Sequence, residues 1–455
     1  MSQQTEGVAI RKRRAGWIAV AAATLTALCV TSTSFGNAGN SGASNGKVTI
    51  TFWQQKFEDY QQKWFSSYVK AFNKSQNKVE VKYYVVPGDV WPAKLKAAQA
   101  AGNQPDVATT NYGAIAAGVQ NGQFAQLDSL LPKADFADVK KNVRPFVTIK
   151  GGHYAYPMLV EPSTVLYYRK DLAKKAGLDP SKPPTTWAQL VTWAKKLTNG
   201  NVKGMTIASA APDLGWSSWG LQYNACGHLP VTPDWSKATA PDTCYAKLLN
   251  FYRTLYQGGY MPQTPKVGYA DATPYGNGEV AMMACGSWAI GQLKQYFPKQ
   301  IAKTAVAPFP SWDGKATRPT ATLGGWTLTI DAKSKQKQAA ASFIHYLLAG
   351  DPKIMAGFFK LSGFSKYTVR TSVDKALAND KAASSDPFMK IISAKIVPYG
   401  KHEPGYPWDI SLAMGTAIES AMKDKASVEA SQKTADDAIT RVIQTQGLAG
   451  TGNGN

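Results

Sequence analysis

The alternation of strand and helix patterns that begins at residue 48 constrains the fold of this chain most strongly. Residues 48–53 and 79–86 alternate or run apolar as strands do, and residues 58–72 place aromatic side chains at helical spacing between them. A helix pattern at 91–101 and a short strand pattern at 106–109 follow. This β-α-β-α-β order predicts an α/β fold, with a parallel sheet covered by helices.

The amino-terminal segment has the pattern of a targeting signal and is not expected to be part of the fold. Residues 11–14 are basic, residues 15–30 are apolar but short for a membrane span, and small polar residues follow. We therefore expect a signal peptide over 1–36 and a flexible tether over 37–46. Cys29 could carry a lipid anchor, but Leu28 and Thr26 fit a lipoprotein signal poorly, so removal of Cys29 with the leader stays open.

The length of the remaining chain exceeds one typical core, so two lobes are expected. The formal net charge is +21, which raises the question of a nucleic-acid partner. The lysines are spread along the helix patterns instead of forming one patch, and no nucleic-acid-binding motif is present. We expect a solvated basic surface that faces an anionic cell wall, and no nucleic-acid partner.

The cysteines of the exported part suggest one disulfide bond. Cys226 and Cys244 flank a loop rich in Pro, Asp and Thr, and this spacing suits a disulfide in an exported protein. Cys285 lies in an apolar run and is expected to be a buried thiol. Other pairings remain open on the sequence alone.

A tryptophan at the end of an apolar strand is the main indication of function. The segment 268–288 reads as a helix, a glycine turn and a strand that ends in Gly-Ser-Trp, which places Trp288 where open α/β sheets bind their ligands. A Gly-Gly turn ending in Trp326 follows downstream. An indole is a flat apolar platform that matches the C–H face of a pyranose, so binding of a carbohydrate is predicted; burial in the core is the alternative.

The order of several segments resembles one family. These segments are VTITFW, QPDVATTNYG, YPMLVEPSTVLYYRKDL, GYADATPYGNGEVAMMACGSW, TLGGWTL and YPWDISLAMGTAIESAMKDKASVE. In this order, from residue 48 to residue 444, they resemble the extracellular solute-binding proteins of ABC importers, in the maltose-binding-protein-like group that takes sugars and oligosaccharides.

The resemblance implies a two-lobed, periplasmic-binding-protein-like α/β fold with a central ligand cleft. It places hinge crossings near residues 157–161, 308–310 and 362–368. The first lobe is then 47–158 plus 309–362, the second lobe is 159–308 plus 363–445, and 446–455 form a disordered tail. The implied activity is capture of a sugar in the cleft and delivery to the transmembrane subunits of an ABC permease, by a monomer without cofactor or metal.

The resemblance also implies which residues hold the ligand. Stacking aromatics and hydroxyl-binding polar groups are expected at strand ends and helix starts. For Glu161 a hinge salt bridge with a lysine is the alternative, for the tryptophans core or hinge packing, and Asp271 is expected to cap a helix. The candidate ligand-binding residues are Trp288, Trp408, Trp326, Asp409, Trp53, Glu161, Tyr112, Asn111, Asp213, Trp216 and Gly325.

Other functions are weighed against this one. A secreted glycoside-acting enzyme needs two carboxylates across a cleft, and nothing marks such a pair here. The four histidines lack metal-ligand spacing, and nucleophile-elbow and phosphate-loop motifs are absent from the sequence. The same fold could bind a glycerol phosphodiester, a polyamine or iron, or could serve a surface adhesin. The 13 Trp and 21 Tyr residues favour a sugar.

Overall fold

The computed structural model describes residues 46–88 and 90–452. The expected signal peptide, Cys29 and all but the last residue of the expected tether lie outside these residues. Within the described part, no helix has the length and apolar character needed to cross a membrane.

The strands form two main sheets and one small hairpin. In chain order they are β1 (Val48–Gln55), β2 (Val79–Val86), β3 (Val107–Asn111), β4 (Thr148–Ile149), β5 (Gly152–His153), β6 (Tyr156–Pro162), β7 (Val165–Arg169), β8 (Lys203–Thr206), β9 (Val280–Cys285), β10 (Thr304–Ala307), β11 (Thr322–Ile330) and β12 (Lys401–His402).

Helices cover both sheets. They are α1 (Asp59–Ser75), α2 (Trp91–Ala101), α3 (Ile115–Gln120), α4 (Lys133–Asp138), α5 (Lys170–Lys175), α6 (Trp187–Leu197), α7 (Ala211–Ser217), α8 (Trp219–Cys226), α9 (Thr243–Gln257), α10 (Thr273–Gly276), α11 (Ala289–Tyr296), α12 (Pro298–Ile301), α13 (Lys337–Ile344), α14 (Pro352–Leu361), α15 (Thr371–Leu377), α16 (Lys381–Ser385), α17 (Pro387–Lys395), α18 (Trp408–Met422) and α19 (Val428–Thr445). Short 3-10 helices cover Tyr112–Ala114, Arg144–Val147 and Val397–Tyr399, and a π-helical turn covers His345–Ala349.

The first lobe is built on a sheet of order β12-β11-β3-β1-β2, with β6 paired to β11. β1 runs parallel to β2 and to β3, which confirms the predicted α/β arrangement. Alternate residues of β1, among them Ile50 and Phe52, are buried beneath α1 because that helix turns Trp64, Phe65 and other apolar side chains inward at helical spacing.

The second lobe is built on a sheet of order β10-β7-β9-β8. Every residue of β7 and β9 is buried, because helices cover both faces of the sheet. Trp187, Leu248 and Ile418 from three of these helices belong to its core. The disulfide between Cys226 and Cys244 joins α8 to α9, and Cys285 is a buried free thiol, so both cysteine predictions are confirmed.

The first crossing between the lobes runs from β6 to β7, at residues 162–165. β6 is antiparallel to β11 of the first sheet, and β7 is antiparallel to β9 of the second. A second crossing segment lies beside it, since Val160 and Tyr367 exchange backbone hydrogen bonds of 3.0 and 2.8 Å. The crossing at residues 162–165 therefore begins immediately after the segment 157–161 in which the sequence predicted it.

The return to the first lobe comes later than predicted. The sequence placed it at 308–310, but Phe309 and Ala321 belong to the core of the second lobe. The carbonyl of Pro310 accepts a hydrogen bond of 2.9 Å from Trp187 Nε1, and that of Pro319 accepts one of 3.0 Å from Asn224. These bonds hold residues 308–321 on the second lobe, so the chain enters the first sheet at Thr322.

The last exit from the first lobe is also later. Residues 362–368 pass beside the first crossing, but Val369 and Leu377 are buried again in the core of the first lobe. Arg370 fixes this return, because its guanidinium donates to Asp138 and to the carbonyl of Leu348. The second core resumes at Met389.

Residues 446–452 differ from the disordered tail that the sequence suggested. Leu448 is 2% exposed in the core of the second lobe. The N–H of Gly450 donates to the carbonyl of Asp234 across 2.9 Å. One apolar side chain and a few backbone bonds are therefore enough to hold this segment on the loop that the disulfide closes.

Candidate functional site

The first wall of the candidate site is the edge of the first sheet that meets the crossings. β1 and β3 end there at Gln55 and Asn111, and β11 places Trp326 opposite both Asn111 and Leu159. Gly324 lies opposite Glu161, one residue before β6 leaves the sheet. The register therefore brings the strand ends that carry the predicted first-lobe residues to one edge.

The second wall is the turn after β9. The N–H of Ser287 donates to the carbonyl of Pro162 across 3.2 Å, and the hydroxyl of Tyr269 donates to the carbonyl of Ser163 across 3.0 Å. These bonds set the residues around Trp288 directly against the first crossing. Predicted residues of both lobes thus flank the same crossing, as a binding cleft between lobes requires.

Aromatic rings cluster on the second wall. Trp216 packs edge-on against Tyr269 with ring centroids 5.2 Å apart, and it lies 6.1 Å from Trp288. Trp288 is 8% exposed and its Nε1 donates to the carbonyl of Ala270 across 2.9 Å, so its ring is largely committed to packing. Trp408 begins α18 beside Gly215 and is 37% exposed. Trp408 therefore offers the freer stacking face.

Trp219, the second tryptophan of the segment that contains Trp216, is buried in the second lobe. It is 6% exposed, and its Nε1 donates to Ser411 Oγ across 3.0 Å. Spacing along the chain suggested that one of the two faces a ligand, and Trp216 is the one that joins the aromatic cluster.

Asp213 supplies a carboxylate beside these rings. Its Oδ2 accepts the backbone N–H of Tyr269 across 2.8 Å. Burial raises the pKa of Asp213 above its ordinary value, although the bonds from Tyr269 and Trp216 oppose that rise. Within the described residues no ion pair compensates this charge, so the carboxylate is suited to accept hydrogen bonds from hydroxyl groups.

Trp326 forms the aromatic part of the first wall together with a residue that the sequence did not suggest. The rings of Trp326 and Phe57 lie 3.9 Å apart, and both residues are half-buried. Phe57 lies just after the end of β1, and this position after a strand is the signal in the sequence that could have indicated it.

Three predicted residues of the first lobe are engaged in packing or capping. Trp53 packs against the buried cluster of Val86, Trp91 and Ala108, and Lys94 Nζ lies 5.3 Å from its ring centroid. Asn111 caps the following turn, accepting the N–H of Ala114 across 2.8 Å. Tyr112 is 5% exposed, and its hydroxyl donates to the carbonyl of Leu159 across 3.1 Å, so it serves the core instead of offering a free face.

Glu161 takes the alternative role of a hinge salt bridge. Its Oε2 lies 2.6 Å from Lys366 Nζ, which also lies 3.1 Å from Glu58 Oε1. Burial raises the pKa of Glu161, Lys366 opposes that rise and Glu58 adds to it. A ligand that bonded to Glu161 would have to compete with this lysine.

The remaining predicted residues have structural partners. Asp409 is exposed and accepts Gln446 Nε2 across 3.2 Å, at the end of the last helix. Gly325 has φ 137°, and a Cβ there would lie 2.6 Å from the carbonyl of Leu159, so glycine lets β11 lie close to β6. Asp271 accepts the N–H of Thr273 across 2.8 Å at the start of α10, near the helix-capping role expected for it.

Glu403 is a further carboxylate that sequence reasoning missed. Its Oε2 accepts the N–H of Gly113 across 2.9 Å, at the edge where β3 ends. Burial raises the pKa of Glu403 to about 7. The flanking sequence KHEPG carries no recognisable signal, because the glycines that receive this carboxylate lie far away along the chain.

Two other features lie outside this arrangement. A surface depression of about 370 Å³ is lined by residues of α6 and the loop before it, among them Lys182, Gln189 and Trp193, and none of the candidate residues borders it. Cys226, His228 and Cys244 lie close enough together to suggest a metal site, but both sulfur atoms are consumed by the disulfide.

Comparison with known proteins gives the family. The family of bacterial extracellular solute-binding proteins matches residues 67–390, so the chain belongs to that family. Its members are the solute-binding proteins of ABC transporters, which bind their solutes and are not enzymes.

Individual relatives are more distant. The sn-glycerol-3-phosphate-binding periplasmic protein UgpB of Pectobacterium atrosepticum is 26% identical over 49% of this chain and 50% of its own. The arabinooligosaccharide-binding protein of Bacillus subtilis is 24% identical over 68% of this chain and 71% of its own. The chain thus spans about half the length of the glycerol-phosphate-binding relatives that it matches.

Among solved structures, a solute-binding protein from Thermotoga lettingae with bound alpha-D-tagatose is similar in fold. It has a TM-score of 0.76 and 24% identity, and the match covers 87% of this chain and 99% of that one. The two-lobed solute-binding fold that the sequence predicted is therefore confirmed.

Proposed function

We propose that this protein captures a neutral sugar or oligosaccharide between its lobes and delivers it to the transmembrane subunits of an ABC permease. The observation that carries the proposal is the partly exposed ring of Trp408 beside Gly215, next to the aromatic cluster of Trp216 and Trp288. The carboxylate of Asp213, which has no ion-pair partner among the described residues, lies in the same helix as Trp216. Rings accept the apolar faces of a sugar and a carboxylate accepts its hydroxyls.

The charges at the site favour a neutral ligand over a phosphate. Asp213, Glu161 and Glu403 are carboxylic groups at or near the cleft, and Lys366 is already shared by Glu161 and Glu58. A phosphate would need a free cation or helix terminus to offset these groups. The arabinooligosaccharide-binding relative supports this choice, whereas the relatives named for binding sn-glycerol 3-phosphate make that phosphate ester the alternative to test.

Transport explains the division of the molecule into two lobes. A ligand that contacts both walls stabilises the closed arrangement by its added contacts, and the closed form is then recognised by the permease. We propose export of the protein as a monomer, with Cys29 as a possible lipid anchor. A mass measurement of the cell-associated protein, with and without Cys29→Ser, tests the anchor.

A binding screen tests the ligand class. Thermal unfolding of the unit from Gly46 onward is followed with mono- and oligosaccharides, and with sn-glycerol 3-phosphate, spermidine and Fe(III) as comparison ligands. A ligand at about 100 times its Kd stabilises by about 2.7 kcal/mol, which gives a clear shift. Stabilisation by one class of sugar supports the proposal. Stabilisation by sn-glycerol 3-phosphate alone would contradict the proposal that the ligand is a sugar, while leaving the assignment to the solute-binding family unchanged.

A further inference from the structure

One segment of the second lobe lies on the first lobe. Residues 400–406, which we call the strap, join the 3-10 helix Val397–Tyr399 to α18. Ile396 before the strap and Ile410 after it both belong to the core of the second lobe. Between them, β12 pairs in parallel with the start of β11, with Lys401 opposite Thr322. The strap is thus a non-covalent link between the lobes.

Side chains and close backbone contacts reinforce this link. The ring of His402 stacks on Phe146 of the first lobe with centroids 4.1 Å apart and planes 17° apart. Gly405 lies so close to Ala116 that a Cβ on the glycine would be 3.0 Å from the alanine methyl. Glu403, between these two contacts, bonds to the N–H of Gly113.

The Glu403 carboxyl group fits against the first lobe because glycines surround it there; we call this position its seat. A Cβ on Gly324 would lie 1.7 Å from Glu403 Oε1, and a Cβ on Gly113 would lie 3.0 Å from the carbonyl of Pro404. The N–H of Gly325 also faces the carboxylate. Backbone N–H groups and two bare glycine positions thus accommodate one carboxyl group from the opposite lobe.

We propose that Glu403 is a positioning residue of the sugar site: seated against Gly113, it fastens the strap to the first lobe and so sets where Trp408 stands. The inference rests on the proposed function, because it concerns the same site. Trp408 begins α18, and only Pro407 separates it from the strap. Docking of the strap therefore fixes the orientation of the lobes and the position of the stacking face together.

Proton binding supports this role and makes it testable. Burial raises the pKa of Glu403 to about 7, the Gly113 N–H opposes the rise, and Glu161 on β6 adds to it. Tyr112 faces the same carboxyl from the end of β3. Within the strap, burial and then Lys401 lower the pKa of His402.

The direction of the pH effect follows from these shifts. A carboxyl whose pKa is raised on docking binds its proton more tightly in the docked state, so docking is favoured in acid and weakens as the pH rises through about 7. Docking raises the pKa of Glu403 from its ordinary 4.5 to about 7. The docking equilibrium is therefore expected to be about thirtyfold more favourable at about pH 5.5 than at about pH 8.5.

Hydrogen exchange of the ligand-free protein measures docking directly. The protection factors of residues 320–324 and 401–405, corrected for the intrinsic pH dependence of exchange, should fall by at least about tenfold from about pH 5.5 to about pH 8.5. Glu403→Gln should keep the strap docked and remove that dependence, since the amide mimics the neutral acid. Gly324→Ala should lower protection at both pH values by filling the seat. Glu80→Gln, at an exposed position on β2, is the matched control, and His402→Phe keeps the stack without the imidazole.

The outcomes separate the two proposals. Unchanged pH dependence in Glu403→Gln, or loss of its docking at both pH values, would overturn the role of the neutral carboxyl. Unchanged protection in a folded Gly324→Ala would overturn the seat, and sugar affinity that does not follow strap protection across the variants would overturn the coupling to the site. Failure of every sugar to bind would instead overturn the proposed function, while the exchange results would still decide whether the strap docks.

Discussion

Lys366 Nζ lies 2.6 Å from Glu161 Oε2, and the two side chains are 1% and 8% exposed where two crossing segments pair. Glu58, just before α1, is the second carboxylate on the same lysine. Burial by itself lowers the pKa of Lys366, but the two carboxylates outweigh burial and hold the pKa above its ordinary value. The cluster therefore ties the first crossing, its neighbour and the start of α1 together by charge.

Replacing Lys366 by Met should destabilise the protein strongly. The substitution leaves the buried Glu161 and the partly buried Glu58 without their cation, and breaking a buried pair in this way costs about 3–5 kcal/mol. Urea unfolding measures the change. Lys360→Met, which removes an exposed partner of Asp380, is the control and should cost at most about 1 kcal/mol.

The pH dependence of the Lys366→Met variant gives a second check. Burial already raises the pKa of Glu161, and loss of the lysine raises it further. A carboxyl with a raised pKa in the folded state contributes stability in acid and loses it as the pH rises. The variant should therefore be closer to wild type at about pH 5 than at about pH 8; an equal loss at both values would argue against an unpaired Glu161.

Trp408 and Trp288 should separate binding from folding. Trp408→Ala is expected to weaken binding of the sugar that the screen identifies by about 2 kcal/mol or more. The same change should lower the free energy of unfolding by about 1 kcal/mol or less, because the ring is partly exposed. Trp288→Ala empties a buried site and should cost about 3–5 kcal/mol of stability. Calorimetric titration and urea unfolding measure both quantities. Trp408→Phe should give an intermediate affinity, and unchanged affinity in Trp408→Ala would remove this ring from the site.

Asp213→Asn should weaken binding without weakening the fold. Asparagine can still accept the Tyr269 N–H, but it loses the charge that strengthens hydrogen bonds from sugar hydroxyls, so affinity should fall about tenfold or more. The pKa of Asp213 is raised above 3.8 by burial, so its charge costs stability as the pH rises through the raised value. The variant should gain stability relative to wild type between about pH 4 and about pH 7, measured by urea unfolding. A relative loss at neutral pH would contradict this account.

Removing the disulfide should lower stability substantially. Cys226 and Cys244 are 18 residues apart in sequence, and the chain-entropy model gives about 3 kcal/mol for a loop of similar length. Urea unfolding of the Cys226→Ser, Cys244→Ser double variant tests this value. In native wild-type protein the buried Cys285 should not react with a thiol reagent, because burial also raises its pKa. A fast-reacting thiol in native protein that begins at Gly46, and therefore lacks Cys29, would contradict both assignments.

Much of the fold was accessible from sequence because it depends on local patterns. The periodicity of β1 and α1 predicted the parallel sheet, and the spacing of Cys226 and Cys244 suited the disulfide. The crossing points were less accessible. Proline-rich residues 308–310 looked like a crossing, but the hydrogen bond from Trp187 to Pro310 keeps them on the second lobe.

The candidate site shows the same division. Local patterns placed Trp288 between a strand and a helix, where it lies between β9 and α11. Trp216 lies near the end of α7 instead of at a helix start, and Trp326 lies inside β11 instead of in a turn. The sequence could not show that Tyr112 turns into the core, since the direction of a side chain depends on what packs against it. The sequence could not indicate Glu403 for a related reason. The N–H of Gly113, which it accepts, is 290 residues away along the chain, and the N–H of Gly325 lies on a separate strand.

By itself the sequence determined the α/β class, the alternation of elements, a cysteine spacing that suits a disulfide and the chemical types that could meet a ligand, because these follow from periodicity, spacing and composition. The tertiary structure alone decided which carboxylates join an ion pair, as Glu161 does, and which are held by hydrogen bonds instead, as Asp213 is. It also decided that the strap lies on the opposite lobe. The physical reason is that pairing, burial and pKa depend on distances between groups far apart in the chain, which local sequence does not encode.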